Sequence, residues 1–226
     1  HHEVRRYVDL EPATEHFFDG IEAVTLPRPT GELLCRFATV NDVHFGEEEC
    51  GKIDDDPQGP IQRSLPGEPP YPEVMNRAAC REIAEIDPLF VLVKGDLTAK
   101  GTDEEFADFE ACYRGAFPDR LRVVRGNHDA YLGQQIYAED LWIEMPGLCV
   151  ALMDTTIPTQ TTGAFEPHQI EWLDQHAADA DVPVLVMGHH QQWVDGKRSD
   201  DYFGLHPDSS DALTDVVARR RNIIGY

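Results

Sequence analysis

Residues of the types that bind metal ions follow apolar runs at four places along the chain. The first group is Asp42-Val43-His44 and the second is Gly95-Asp96. The third is Gly126-Asn127-His128-Asp129 and the fourth is Gly188-His189-His190. Carboxylate, imidazole and amide donors, with no thiolate among them, suit Mn, Fe or Zn in a hydrolytic site better than a structural zinc site built from cysteines.

The spacing within these motifs indicates how the side chains are presented. Asp42 and His44 are two residues apart, so an extended chain would point both side chains to the same side. The Gly126-Asn127 pair interrupts the apolar run before it and presents an amide, an imidazole and a carboxylate together. Each motif alone is weak evidence, since polar turns that contain a histidine are common. Their repetition after four apolar runs favours one shared site.

The apolar runs are predicted to be buried strands of an α/β fold, and helical patterns separate several of them. The runs that precede the motifs span residues 33–40, 89–93, 121–124 and 182–187, and a further strand is predicted over residues 148–153. Helices are predicted over residues 73–86, from Thr102-Asp103 onwards, and over residues 166–179 and 208–221. Ligands bind at the carboxyl ends of strands in open α/β sheets, so the four motifs are expected at one sheet edge.

Apolar stripes predict which side of two helices packs on the sheet. In the helix over residues 73–86 the stripe consists of Met75, Ala79, Ile83 and Ile86. In the next helix it consists of Phe106, Phe109, Tyr113 and Phe117. This spacing is typical of core packing rather than of a cofactor site.

The composition is that of one sizeable globular domain, apart from its charge. Of the 226 residues 41% are hydrophobic and 27% are charged, and the formal net charge is −23. An acidic surface repels nucleic acid and anionic membranes, so neither a long nucleic acid nor a membrane is expected as a partner. The five cysteines are scattered without a C-x-x-C pair, which argues against a disulfide framework and favours the reducing cytoplasm.

The segments without a clear motif yield three further expectations. Residues 1–32 are predicted to be an N-terminal arm with a hairpin at Asp19-Gly20, and residues 33–226 are predicted to be the main domain. His1-His2 resembles the remnant of an affinity tag and is excluded from any site. The long segment over residues 45–72 is predicted to be a loop that could act as a lid.

A second irregular loop spans residues 191–207 and is rich in aromatic side chains. These side chains are Trp193, Tyr202, Phe203 and His206. They would stack on a substrate or, equally, pack on a neighbouring subunit, so a homodimer is one of two open alternatives.

Taken together, the four motifs predict a two-metal hydrolase that acts on phosphate esters. One carboxylate can bridge two ions with its two oxygens, and two ions about 3.5–4 Å apart share a hydroxide and clamp a phosphoryl oxygen. A neighbouring imidazole stabilises the transition state or protonates the leaving oxygen. The ions would also allow an acidic protein to bind an anionic substrate.

The order and strand context of the four motifs resemble the calcineurin-like metallophosphoesterases, from Leu33 to the end of the chain. This resemblance implies an α/β sandwich of two mixed β-sheets flanked by helices. It also implies two divalent or trivalent metal ions, which would be Mn, Fe or Zn. Asp42 and His44 would hold one ion, and Asp96 would bridge to the second ion. Asn127 and His189 would hold the second ion.

The resemblance also implies which residues act on the substrate. His128 would be the catalytic imidazole, with Asp129 orienting it. His189 is expected as the ligand, because the ligand of the family directly follows the glycine or the apolar strand end, and His190 is the second choice.

Among members of the family, the pattern is most similar to the bacterial cyclic nucleotide phosphodiesterases. A small phosphorylated substrate with a phosphodiester bond, such as a nucleotide, is therefore expected. The alternatives are a phosphomonoesterase or a nuclease of the same fold, or a non-catalytic scaffold with an incomplete metal site. The scaffold alternative arises because the family completes its site with G-H-x-H on a strand. Here the last predicted strand begins at Asn222 and the sequence ends at Tyr226, so a domain without that motif, or a longer native chain, is expected.

Overall fold

A computed structural model of the chain describes residues 5–53, 56–193 and 203–226. Contacts between residues divide the chain into two units, His1–Leu34 and Cys35–Tyr226. The tag remnant at His1-His2 and the aromatic residue Tyr202 lie outside the described residues.

The first unit contains a β-hairpin. Strand β1 (Glu15–Phe18) pairs antiparallel with strand β2 (Ile21–Val24). The turn residues Asp19 and Gly20 have φ angles of 50° and 85°. Two consecutive positive φ angles match the twist of a two-residue hairpin loop, which explains why an Asp-Gly pair predicts this turn correctly.

The second unit contains nine strands and four α-helices within the described residues. The strands are β3 (Phe37–Val40), β4 (Glu49–Ile53), β5 (Asp56–Arg63), β6 (Phe90–Lys94), β7 (Leu121–Val124), β8 (Leu141–Met145), β9 (Leu148–Leu152), β10 (Val184–Met187) and β11 (Ile223–Gly225). The helices are α1 (Tyr71–Ile86), α2 (Asp103–Phe109), α3 (Pro167–Asp179) and α4 (Pro207–Arg219). A π-helical turn, Glu110–Arg114, continues α2. Across the described parts of the chain, none of the helices is both long enough and apolar enough to cross a membrane.

Two sheets form the centre of the second unit. Strands β3, β6 and β7 form a parallel sheet in the order β3-β6-β7. The other sheet has the order β11-β10-β9-β8 and is mixed, because β8 runs antiparallel to β9 while β9, β10 and β11 are parallel. A separate antiparallel hairpin joins β4 to β5.

Three apolar layers hold these sheets and helices together. The layer between the two sheets contains Leu92, Val124, Ile143, Met145, Val150 and Leu152. Along β6 the alternate residues Val91 and Val93 instead face the layer shared with α1 and α2, as the two-residue period of a strand requires. Helices α3 and α4 cover the mixed sheet through Leu173, Ala177, Leu213 and Val216. The predicted sandwich of two sheets flanked by helices is confirmed. Both sheets were expected to be mixed, but in the described residues the β3-β6-β7 sheet is parallel.

Helix α1 buries a face that matches the predicted one only in part. Ile83 is buried as predicted, but Met75 and Ile86 are exposed, and Asn76 and Cys80 are buried instead. Asn76 faces inwards because its Nδ2 donates to the carbonyl of Val43 at 2.8 Å and its Oδ1 accepts from the Tyr113 hydroxyl at 2.7 Å. A buried amide with such partners replaces an apolar contact, which an apolar count does not detect. The stripe predicted for the next helix, by contrast, is buried throughout.

Two further segments differ from the sequence prediction. The segment over residues 45–72, predicted to be a loop, contains the β4–β5 hairpin. Strand β8, not predicted at all, pairs with β9 across a tight turn at Pro146-Gly147, where Gly147 has a φ angle of 76°. A glycine is suited to this left-handed conformation because it has no Cβ.

Candidate metal centre

The carboxyl ends of four strands meet around one cavity. Strands β3, β6 and β7 lead directly into the first three motifs, and β10 leads into the fourth. The cavity has a volume of about 710 Å³ and is lined by Asp42, His44, Asp96, Asn127, His128, Tyr131, Thr161, His189, Gln191 and Phe203. All six of the motif side chains proposed as ligands or as the catalytic imidazole therefore lie at one site.

The loop after β3 presents its two side chains from a turn and not from an extended chain. Asp42 and His44 have φ angles of 54° and 47°, which corrects the expectation that an extended segment aligns them. The backbone N–H of Asp42 donates to the carbonyl of Gly95 at 3.1 Å, and the backbone N–H of His44 donates to the backbone carbonyl of Asp96 at 3.0 Å. These bonds to the loop after β6 hold both residues in a left-handed conformation that non-glycine residues rarely adopt.

Asp96 lies at the centre of the cluster. Its Oδ2 is 3.5 Å from His44 Nε2, and its Oδ1 is 3.3 Å from His189 Nε2. The backbone N–H of His128 donates to Oδ1 at 3.0 Å. The two carboxylate oxygens therefore face two different halves of the site.

Two overlapping groups of donor atoms could each hold an ion. One group is Asp42, Asp96 and His189, and the other is His44, Asp96 and His128; the donor atoms within each group lie within 4.8 Å of one another. Asp96 belongs to both groups. Asn127 Oδ1 lies 3.1 Å from His189 Nε2 and adds an amide oxygen beside the first group. The donor set, with two carboxylates facing one cavity, fits a pair of cations that share Asp96.

The charges within the cluster shift the pKa values of several of its members. The imidazole of His44, with Nε2 3.8 Å from Oδ1, lowers the pKa of Asp42 to about 2, although burial opposes this shift. Burial alone would lower the pKa of His189, but the hydrogen bond and charge of Asp96 outweigh burial and raise it to about 9. The pKa of Asp96 is lowered in turn, because His189 more than offsets the effect of burial. Opposite charges thus stabilise each other in a partly buried site.

The imidazole of His128 is fixed by a backbone carbonyl. Its Nδ1 lies 2.8 Å from the carbonyl oxygen of Ala99, which can only accept a hydrogen bond. Nδ1 therefore carries the hydrogen, and Nε2 remains for the cavity. The ring meets the ring of His44 edge-on at 4.6 Å.

Asp129 is fully buried and has four hydrogen-bond donors around it. Its Oδ2 accepts from the N–H groups of Leu97 and Gly126 at 3.0 and 2.8 Å. Its Oδ1 accepts from the N–H and the hydroxyl of Thr98 at 2.9 and 2.7 Å. These bonds tie the loop after β6 to the loop after β7. Asp129 was expected to orient His128, but these partners make it a support for the two loops.

Substitution of Asp129 with asparagine is expected to lower the free energy of unfolding by about 2–4 kcal/mol. The amide NH₂ group would face two donors that the carboxylate now satisfies, and charged hydrogen bonds of this kind are lost. Urea unfolding followed by circular dichroism measures the change, with the exposed Asp119→Asn as control. An unchanged unfolding free energy together with a loss of activity would instead favour the orienting role toward His128.

His190 occupies a different environment from its neighbour His189. It is buried, with Nδ1 2.8 Å from the hydroxyl of Thr155. Burial, with a further contribution from the charge of His189, lowers its pKa to about 3, so the ring is neutral. Neither donor group contains His190, whereas His189 belongs to one of them.

Gly126 allows the loop after β7 to approach Asp96. A Cβ at this position would overlap the backbone nitrogen and Oδ1 of Asp96. Neither atom can move away without displacing the centre of the cluster.

The Gly126→Ala variant is therefore expected to lose about a hundredfold in kcat/KM and to bind Mn²⁺ more weakly, because small misplacements of catalytic groups are costly. Steady-state kinetics and Mn²⁺ titration provide the measurement. Gly115→Ala is the matched control, because Gly115 has a helical conformation and open space at the Cβ position. Equal behaviour of the two variants would contradict the close approach.

Several residues around the site carry no motif in the sequence. Arg125 and Asp154 form a buried ion pair at 2.9 Å that joins the ends of β7 and β9 and so links the two sheets; both residues line a second cavity. Tyr131, Thr161 and Gln191 line the cavity of the metal centre but lie outside the four motifs. The aromatic loop contributes Phe203, an exposed ring at the rim of the cavity.

The fold and the site together indicate the class of protein. Two sheets lie between helices, and carboxylates and imidazoles lie at the strand ends. The chain matches the family model of the calcineurin-like phosphoesterases over residues 35–219 and belongs to that family.

Known proteins with similar sequence or structure agree with this assignment. Over 106 residues the chain is 26% identical to a probable cyclic nucleotide phosphodiesterase from Synechococcus sp.. The match covers 47% of this chain and 38% of the length of that relative. A dimetal phosphatase from Danio rerio superposes with a TM-score of 0.60 at 14% identity, over 85% of this chain and 80% of that chain. A purple acid phosphatase from yellow lupin seeds gives 0.51 at 12% identity, over 94% and 43%. The two structures confirm the fold.

Proposed function

We propose that the protein is a metal-dependent hydrolase of phosphate esters and that its substrate is a phosphodiester. The observation that carries this proposal is the position of Asp96, whose two oxygens face His44 on one side and His189 on the other at 3.5 and 3.3 Å. A carboxylate placed in this way is suited to bridging two ions.

The proposed ligands divide between the two ions. Asp42 lies in the donor group of His189, but its Oδ1 is also 3.8 Å from His44 Nε2. We therefore propose that Asp42 and His44 would hold one ion, that Asn127 and His189 would hold the other, and that Asp96 would bind both. When bound, two divalent or trivalent ions, whether Mn, Fe or Zn, would lower the pKa of a water molecule and neutralise charge on the phosphoryl group.

His128 is proposed as the group that handles the proton of the leaving oxygen. Its Nδ1 bond to Ala99 directs Nε2 toward the cavity, where a protonated Nε2 can donate to an ester oxygen as it leaves. Asp129 is proposed to act indirectly, because it holds together the loops that carry Asp96 and His128.

Two considerations support a diester over a monoester. A phosphodiester carries one negative charge, whereas a phosphomonoester carries about 1.5–2 at neutral pH. The smaller charge is repelled less by a protein of net charge −23. The relative that matches over 106 residues is named as a probable cyclic nucleotide phosphodiesterase. The cavity of about 710 Å³ is of a size that accepts a nucleotide, whether a diester or a monoester. A homodimer and a cytoplasmic location stay predictions of the sequence.

The proposal is tested by Mn²⁺-dependent hydrolysis of bis(p-nitrophenyl) phosphate beside p-nitrophenyl phosphate, with the full chain. Diester hydrolysis is expected to exceed monoester hydrolysis and to stop with a chelator. The Asn127→Ala variant is expected to lose about a hundredfold in kcat/KM for the diester, equivalent to about 3 kcal/mol of transition-state stabilisation. Gln175→Ala, which removes an exposed amide on α3, serves as the control.

The other outcomes separate the alternatives. Faster monoester hydrolysis would contradict the diester assignment and favour a phosphomonoesterase. Absence of both Mn²⁺ binding and turnover would contradict the catalytic proposal and favour a non-catalytic scaffold.

A further inference from the structure

Tyr131 is a half-buried side chain that contacts two functional groups of the site. Its hydroxyl oxygen accepts a hydrogen bond from Asn127 Nδ2 at 2.6 Å. Its ring lies 4.8 Å from the ring of His128 at a tilted angle. It also lines the cavity, although no motif in the sequence marks it.

The structure places the NH₂ end of the Asn127 amide against Tyr131 and the oxygen end toward the metal centre. An asparagine side chain has an oxygen that can bind a cation and an NH₂ group that cannot. Because Nδ2 donates to Tyr131, Oδ1 points the other way and lies 3.1 Å from His189 Nε2. Without the phenol, the NH₂ end of the amide would lose the hydrogen bond that holds it on this side of the loop.

We propose that Tyr131 is a positioning residue that fixes the Asn127 amide with its oxygen toward the metal centre. This inference rests on the proposed function, because it takes Asn127 to be a metal ligand. Second-layer partners of this kind orient metal ligands, and their loss costs about ten- to a hundredfold in metal affinity or activity.

The ring of Tyr131 makes a separate contact, with the catalytic imidazole proposed at His128. The ring of His128 contacts the ring of His44 at 4.6 Å and the ring of Tyr131 at 4.8 Å, and its Nδ1 is bound to Ala99. A phenylalanine at position 131 keeps this ring contact and removes the hydroxyl alone. The Tyr131→Phe variant therefore isolates the effect on Asn127.

The test compares Tyr131→Phe with Tyr137→Phe. Tyr137 is a suitable control because its hydroxyl also accepts a hydrogen bond, from Arg114 at 3.3 Å, and it does not line the cavity. Calorimetric titration with Mn²⁺ alone is expected to show about tenfold weaker binding for one of the two ions in Tyr131→Phe. The value of kcat is expected to fall about tenfold with little change in KM. Tyr137→Phe is expected to match the wild type.

The same substitution made in the Asn127→Asp variant distinguishes a positioning role of Tyr131 from general damage to the fold. In Asn127→Asp the side chain has an oxygen at both ends, so its orientation no longer matters. Adding Tyr131→Phe to this background is expected to cause less than a twofold further loss of Mn²⁺ affinity. An equal loss in both backgrounds, or wild-type Mn²⁺ affinity in the single Tyr131→Phe variant, would overturn the inference.

The metal titration also separates this inference from the proposed function. A wild-type protein that binds Mn²⁺ but hydrolyses neither ester would refute the proposed function, while the titrations would still decide the role of Tyr131. A wild-type protein that binds no Mn²⁺ would overturn both.

Discussion

Replacement of Asp96 with asparagine is expected to reduce kcat/KM at least a thousandfold and to abolish binding of at least one of the two ions. Asp96 presents one oxygen to His44 and the other to His189. Asparagine keeps a single oxygen and no charge, so it cannot bridge two cations. A loss of about 4 kcal/mol of transition-state stabilisation corresponds to this thousandfold effect.

The measurement combines phosphodiester kinetics with Mn²⁺ titration of the same samples. The amide oxygen can still accept from the His128 N–H, so the local fold is expected to persist. Asp87→Asn is the matched control, because Asp87 is exposed and ends α1 in a left-handed conformation that asparagine also tolerates. Two ions bound with wild-type affinity in Asp96→Asn would show that Asp96 is not the bridge.

Replacement of His128 with glutamine is expected to lower kcat by about a hundred- to ten-thousandfold while Mn²⁺ affinity stays within about threefold of the wild type. The proposed role of His128 is proton transfer, and glutamine cannot exchange a proton near neutral pH. Glutamine retains a polar group of similar length, so the loop is expected to keep its position.

This variant also decides between two roles that the geometry allows. His128 lies with His44 and Asp96 in one of the two donor groups, and a ligand role would make Mn²⁺ affinity fall together with kcat. Parallel loss of both would contradict the assignment as the catalytic imidazole. His168→Gln is the control, because His168 is exposed at the start of α3.

The arrangement of the site could be predicted from the sequence because its residues follow strand ends. A glycine or asparagine that ends an apolar run predicts the end of the strand, and parallel strands place such ends at one edge. That reasoning places Asp96, Asn127 and His189 correctly in one cavity. It requires no knowledge of the distances between strands.

Other features depend on contacts between distant segments and leave little trace in the sequence. The inward position of Asn76 depends on a bond to Val43, 33 residues earlier in the chain. The turn at Asp42 and His44 depends on carbonyls of the neighbouring strand-end loop. Local periodicity describes one element at a time, so it favours Met75 over Asn76 for the buried face of α1.

The role of Asp129 illustrates a further limit. A carboxylate next to a histidine in sequence suggests that the two interact. Its four donors lie in Leu97, Thr98 and Gly126, and three of these four come from a loop about 30 residues earlier. The partners of Asp129 therefore differ from the one that the family resemblance implies, although the resemblance identified the residue as part of the site.

The central claim is that one carboxylate joins two ions at the meeting point of the strand ends. Anomalous X-ray scattering from crystals of the full chain grown with Mn²⁺ tests it most directly. The account predicts two peaks about 3.5–4 Å apart, with Asp96 in contact with both and Asn127 beside one of them. A single peak, or two peaks that do not share Asp96, would contradict it.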